Sequence, residues 1–160
     1  MRHIISVLVE NKSGVLARIS TLFAARGFNI DSLAVGETDD PQVSRMTIIV
    51  PGDDSVLEQV TKQLNKLVDV IKVTDFKDTE YVERELCLVK ISAAKSSRPE
   101  IMQIAAIFRA KIVDVSQDSV MIEITGDESK IRAFIKMVLP YGIKETCRTG
   151  IVSLSRGSKN

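Results

Sequence analysis

Glu10-Asn11-Lys12-Ser13-Gly14-Val15-Leu16-Ala17-Arg18 is the stretch on which the fold turns. Before it, residues 3–10 are rich in β-branched side chains and read as a strand. Asn11-Lys12-Ser13-Gly14 then supplies turn formers that interrupt it. After it, Val15, Leu16, Ile19, Leu22 and Phe23 recur at the spacing of one helical face, with Arg18 and Arg26 off that face and Gly27 placed to terminate the helix. A strand therefore passes into a helix through a single glycine-containing turn.

Continuing outward, residues 28–36 read as a second strand, and Asp39-Asp40-Pro41 is a turn signal. Residues 43–50 form a third strand that Pro51-Gly52 ends. Ser55-x-x-Glu58 has the form of a capping box, and Leu57, Val60, Leu64 and Leu67 make the apolar stripe of a second helix. Residues 68–76 close the unit as a fourth strand. The order is βαββαβ, so residues 1–77 are predicted to form a ferredoxin-like domain with two helices on one face of a four-stranded antiparallel sheet. Its other face is left open, and that face or an edge strand is expected to meet a second copy, giving a dimer.

Residues 78–160 repeat the order. A strand over 85–93 leads to Ser97-Arg98-Pro99-Glu100, a capping box with an early helical proline, and Ile101, Ile104, Ala105 and Phe108 share a face. Residues 112–115 and 120–125 read as a hairpin around Gln117-Asp118. Gly126-Asp127 opens a helix striped by Ile131, Phe134, Ile135 and Val138, which Pro140 and Gly142 end. A last strand is expected over 150–155. Both stripes of this half read as core. The fold class is thus α+β, two ferredoxin-like βαββαβ domains in tandem: a repeat of structure without a repeat of sequence.

Bulk properties narrow the function. Twenty-two basic against 21 acidic residues give a net charge of +1, so no broad positive field exists for a phosphate backbone, and with 4% aromatic residues and no Trp there is little to stack on single-stranded bases. Nucleic acid is not an expected partner. No apolar run approaches the roughly 18–20 residues of a membrane span, and residues 1–10 read as a strand, not a signal peptide, so a cytoplasmic protein is expected. Cys87 and Cys147 lie outside any CxxC spacing and read as reduced packing residues.

Catalytic constellations are scarce. His3 is the single histidine, so any Ser-His-Asp or Cys-His site would have to be built on it. No His/Cys cluster has metal-ligand spacing, no acidic loop matches a calcium pattern, and Gly14 is followed by Val-Leu where a phosphate loop needs Lys and Ser/Thr. Asp39/Asp40 and Asp53/Asp54 read as turn residues.

One segment offers a binding mechanism. The backbone N–H groups of Gly14, Val15 and Leu16 stand at the positive end of a helix dipole, where a carboxylate is stabilised, and Gly14 lets a ligand approach the chain closely. Asn11 could add an amide. Asn29, between Phe28 and Ile30, is a polar group among apolar ones that an α-ammonium group would satisfy. The same residues also have a purely structural reading, with Ser13 an N-cap, Gly14 a turn residue and Asn29 a turn polar group.

These residues carry a resemblance. Asn11-Lys12-Ser13-Gly14-Val15-Leu16-Ala17-Arg18 followed by Arg26-Gly27-Phe28-Asn29-Ile30-Asp31-Ser32-Leu33 resembles the signature of the ACT domain in the regulatory small subunit of acetohydroxyacid synthase (acetolactate synthase). The likeness continues through Ser44-Arg45-Met46-Thr47, Gln63-Leu64-Asn65-Lys66-Leu67-Val68-Asp69-Val70, Glu83-Arg84-Glu85-Leu86 and Arg148-Thr149-Gly150-Ile151, essentially the whole chain. It implies a non-catalytic regulatory subunit that docks on a catalytic large subunit and mediates feedback inhibition, with activation of the partner in the absence of effector. It implies valine, or leucine or isoleucine, held between two ACT domains: Asn11, Gly14, Val15 and Leu16 of one chain, Asn29 and Ile30 of the other. The thiamine diphosphate, magnesium and FAD of the reaction would belong to the catalytic partner, none to this chain. Two rivals remain on the residues alone: a small ferredoxin-like enzyme, which would have to use His3, and an amino-acid-sensing transcription factor, for which residues 95–98 and 156–159 are too short a basic surface.

Overall fold

A computed structural model describes residues 1–157. Contacts divide the chain into two units, residues 1–82 joined by those from Ile151 onward, and Glu83–Gly150.

In the first unit β1 (Arg2–Glu10), α1 (Val15–Ala25), β2 (Ser32–Glu37), β3 (Val43–Pro51), α2 (Asp54–Asn65) and β4 (Val70–Asp75) follow the predicted βαββαβ order. The antiparallel sheet runs β2-β3-β1-β4, with Ile5 opposite Ile48 and Val7 opposite Met46. Strand alternation sends Ile5, Val7, Val9, Met46, Ile48 and Val50 to one face. There α1 lays Val15, Ile19 and Phe23 over them and α2 lays Leu57, Val60 and Leu64. Each of these buried side chains contributes about 1.5–3 kcal/mol by leaving water.

The opposite face is only partly open. Ile4 and Ile49 project to that side and are covered by Phe76, Ile151 and Tyr81 of the same chain. These two side chains are therefore buried within the chain itself. Among the described residues two strand edges stay unpaired: that of β2, which bonds only to β3, and that of β4, which bonds only to β1.

In the second unit β5 (Tyr81–Ser92), α3 (Arg98–Ile107), β6 (Lys111–Val115), β7 (Ser119–Gly126), α4 (Glu128–Val138) and β8 (Ile143–Arg148) form the same arrangement, with strand order β6-β7-β5-β8. A 3-10 turn, Leu139–Tyr141, joins α4 to β8. Cys87, Val89, Ile91, Val120, Ile122 and Ile124 pack under Ile101, Ile104, Ile131, Phe134 and Val138, so both helix stripes of this half are core. Phe134 meets Phe108 edge to face at 5.5 Å. Phe134→Ala would open a void costing about 3–5 kcal/mol.

Several boundaries correct the sequence reading. Residues 28–31 precede β2 and do not extend it. Asp53, not Ser55, caps α2: its Oδ1 accepts from the Val56 N–H at 3.1 Å, because the chain is already helical at Asp54. Ser97 makes no side-chain cap for α3; its hydroxyl donates back to Ala94 O at 3.2 Å. Val68 is 93% exposed and lies outside β4. β8 was not anticipated. The strand expected over 150–155 is β9 (Val152–Ser155), which pairs with β5, while Arg156 N–H donates to Glu80 O at 2.8 Å. No described helix is long and apolar enough to cross a membrane.

Candidate functional site

The turn between β1 and α1 has the conformation a glycine permits. Gly14 is the N-cap of α1 with φ +86° and ψ −8°, left-handed geometry that costs a residue bearing Cβ about 1–2 kcal/mol. Ser13 is therefore not the cap. No side chain accepts from the start of α1, and its first turn holds no acidic residue. The N–H groups of Val15, Leu16 and Ala17 thus have no intrahelical acceptor and carry the positive end of the dipole. Val15 is buried as an anchor for the helix, whereas Leu16 is 43% exposed beside the turn.

A charged cluster holds this turn in place. Arg18 Nε donates to Asp69 Oδ2 at 2.6 Å, and Lys12 Nζ reaches Asp69 Oδ1 at 3.2 Å and Glu10 Oε2 at 2.7 Å. Asp69 is nearly buried, and the hydrogen bond from Arg18, reinforced by Lys12 against the opposing cost of desolvation, keeps its carboxyl below the usual carboxylate range. The Lys12 ammonium is raised in turn by Glu10 first and Asp69 second. A Cβ on Gly14 would stand 3.0 Å from Arg18 Nη1, so glycine and guanidinium share one small space. Sequence reading missed Asp69 because it lies 51 residues from Arg18 and inside an apolar run assigned to a strand. Arg18, one helical turn past Gly14, was the available signal.

Asn11 is committed locally. Its Nδ2 donates to Pro41 O at 2.9 Å and weakly to Glu37 Oε2 at 3.4 Å, and its backbone N–H to Gln42 O at 2.7 Å, which ties the loop to the β2–β3 turn. At the other end of α1, Gly27 takes φ +70°, Phe28 N–H bonds Phe23 O at 3.0 Å and Gly27 N–H bonds Ala24 O at 3.2 Å, a Schellman termination sealed by Phe28 against Phe23. This directs Asn29 into solvent, where its Nδ2 donates to Asp31 Oδ1 at 3.0 Å, while Ile30 turns back to pack against the core. Gly14 and Asn29 therefore flank an 11-residue helix about 16 Å long. The fold brings Asn11, Gly14, Val15 and Leu16 together and keeps Asn29 and Ile30 apart from them within one chain.

Compared with known proteins, the chain is 58% identical over 159 residues to the probable acetolactate synthase small subunit of Archaeoglobus fulgidus, covering 99% of each. The chain belongs to the acetolactate synthase small-subunit family. It is also 54% identical to the acetolactate synthase small subunit of Aquifex aeolicus, over 97% of this chain and 81% of that one. Residues 5–72 of this family member match the AHAS small subunit-like ACT domain, and residues 84–157 the small subunit of acetolactate synthase. A crystal structure of the small subunit from Thermotoga maritima superposes with a TM-score of 0.90 at 45% identity over 99% of both chains.

Outside the β1–α1 turn, two candidate reactive groups of the small subunit, His3 and Cys87, are taken up by the fold. His3 is buried with Nε2 at 3.1 Å from both Gly52 O and Asp53 O, so Nε2 carries the hydrogen and donates. Cys87 is buried, and desolvation raises its thiol pKa. Cys147 is exposed, so it is not the packing residue expected from sequence. Among the described residues no group of three or more His, Cys, Asp or Glu is placed to hold a metal.

Proposed function

We propose that this small subunit senses a branched-chain amino acid, valine before leucine or isoleucine, in a pocket shared by two ACT domains. It thereby adjusts the activity of an acetolactate synthase catalytic subunit in the cytoplasm. The observation that carries the reading is the 11-residue helix separating Gly14 from Asn29. An amino acid only a few ångströms long cannot touch both ends of a helix about 16 Å long, yet the two ends have complementary chemistry. The uncapped start of α1 offers N–H donors to a carboxylate, and the segment past its end offers the Asn29 amide oxygen, with the Asp31 carboxylate at 3.0 Å from its Nδ2, to an ammonium group. A two-fold arrangement of chains answers both needs: Gly14, Val15 and Leu16 of one protomer hold the carboxylate, with Asn11 fixing the loop, and Asn29 and Ile30 of the partner subunit complete the pocket. The unpaired edge of β2, with Val35 exposed on it, offers a surface for such a homodimer.

Binding across two chains favours one dimer arrangement over another, and a tenfold preference corresponds to about 1.4 kcal/mol. In this reading thiamine diphosphate, magnesium and FAD reside on the catalytic partner. The test is co-purification with the acetolactate synthase catalytic subunit followed by activity titration with valine, leucine and isoleucine. Valine should inhibit at the lowest concentration and removal of this chain should abolish the response. Activity indifferent to all three amino acids would overturn the reading.

A further inference from the structure

We infer that the sheet face of the first unit opposite α1 and α2 carries a small-oxyanion site, chemically suited to a phosphoryl group. Strand register sets Arg45 of β3 and Lys72 of β4 on either side of Leu8, and Thr74 beside Ser6. Alternation turns all five residues to this face. They line a cavity of about 210 Å³ whose remaining walls are Phe76 and, from the returning C-terminal segment, Leu154, Ser155 and Gly157.

Among the described residues the lining contains two cations and the hydroxyls of Ser6, Thr74 and Ser155, and no carboxylate. Several other cations of the chain face acids: Arg18 and Lys12 meet Asp69, Lys77 meets Asp54, Lys90 meets Glu145 and Arg148 meets Glu85. Arg45 instead donates from Nη1 to Ser6 Oγ at 2.7 Å. Ser6 is 1% exposed, and with its oxygen accepting from Arg45 its own O–H is left to donate. Like charges flanking one residue repel, and a tetrahedral dianion between them would relieve the repulsion while its oxygens accept from guanidinium, ammonium and hydroxyls. The cavity is smaller than the roughly 300–1,000 Å³ of pockets that enclose drug-sized ligands, so it fits a phosphate or the phosphoryl end of a small organic phosphate. Walls from the returning segment make it a recess, not a flat docking face.

The test titrates the full chain by calorimetry in low-salt buffer free of phosphate and sulfate, with inorganic phosphate, glycerol phosphate and acetate as probes. Phosphate should bind and acetate should bind at least tenfold more weakly. The Arg45→Gln/Lys72→Gln double variant should lose at least tenfold in phosphate affinity, about 1.4 kcal/mol. The exposed Lys72→Gln substitution alone, which leaves the Arg45–Ser6 bond in place, should lose part of that. Tighter binding of glycerol phosphate than of inorganic phosphate assigns the site to organic phosphates, and equal affinity assigns it to the free ion. No phosphate binding by the wild-type chain, acetate binding as well as phosphate, or undiminished binding by the double variant with a native circular dichroism spectrum would each overturn the proposal.

Discussion

The two units repeat one topology, yet the equivalent junctions β1–α1 and β5–α3 are finished differently. In the second unit no side chain caps α3 either, but Pro99 has no N–H to satisfy, the Arg98 N–H donates to Ala94 O at 3.1 Å, Glu100 places an acid in the first turn, and Arg98 Nη2 ties the loop to Ser116 O at 2.6 Å, Gln117 O at 2.8 Å and Ala93 O at 3.3 Å. α2 and α4 are capped by side chains, Asp53 and Asp127, whose Oδ1 accepts from Lys130 N–H at 2.9 Å. α1 begins on a glycine with no cap and no acid. Asn11 ties its loop to the neighbouring hairpin turn, as Arg98 does for α3, but the helix start itself has neither proline nor acid. The difference teaches that shared packing decides the architecture, while the few residues at each helix start decide how that start is satisfied.

The largest expected effect comes from making the first junction resemble the capped ones. Gly14→Asp introduces a cap carboxylate where the ligand carboxylate belongs, and should weaken valine binding by about a hundredfold, about 2.7 kcal/mol. Calorimetry showing undiminished binding would break the contrast. Opening the second junction comes next: Arg98→Ala releases three carbonyls and should destabilise the second unit by about 2 kcal/mol, read by urea denaturation, while leaving the valine response intact. A lost valine response there would show that the two junctions are not functionally separate. Asn29→Ala removes one exposed amide, so valine affinity should fall about tenfold with the melting temperature preserved, and unchanged feedback would exclude Asn29 from the pocket. The smallest effect is the pH response of the tether. Because Asp69 titrates below its unfolded value of about 3.9, its contribution to stability is complete above that pH and is lost as pH falls through the lower folded value. Asp69→Asn should flatten this part of the acid melting curve, and an unaltered curve would show that the Arg18 tether does not hold the turn.

Apolar periodicity made α1, α4 and the cores of both units legible, since Ile19 and Phe23 or Ile131 and Phe134 recur on one face whatever they pack against. β8 was illegible for the same reason. Lys144, Glu145, Thr146 and Arg148 carry no alternation, and only the pairing of Cys147 with Leu88 and Thr146 with Val89 makes the segment a strand. Val152–Ser155 looked like the closing strand of the second domain because sequence order cannot tell which strand a late segment will meet. At the candidate site Gly14 was legible and its companions were not. The Arg18–Asp69 pair and the Lys72–Arg45 flank join residues far apart in the chain whose types, taken singly, are ordinary surface charges.

By itself, then, the sequence determined the βαββαβ order, the apolar faces and the glycine at the start of α1, because those follow from local periodicity and backbone sterics. Tertiary structure alone decided that Ile151 covers Ile4 and Ile49 and that Asp69 anchors the Gly14 turn. Those are distances between segments remote in the chain, and they exist only once the sheet brings its strands into register.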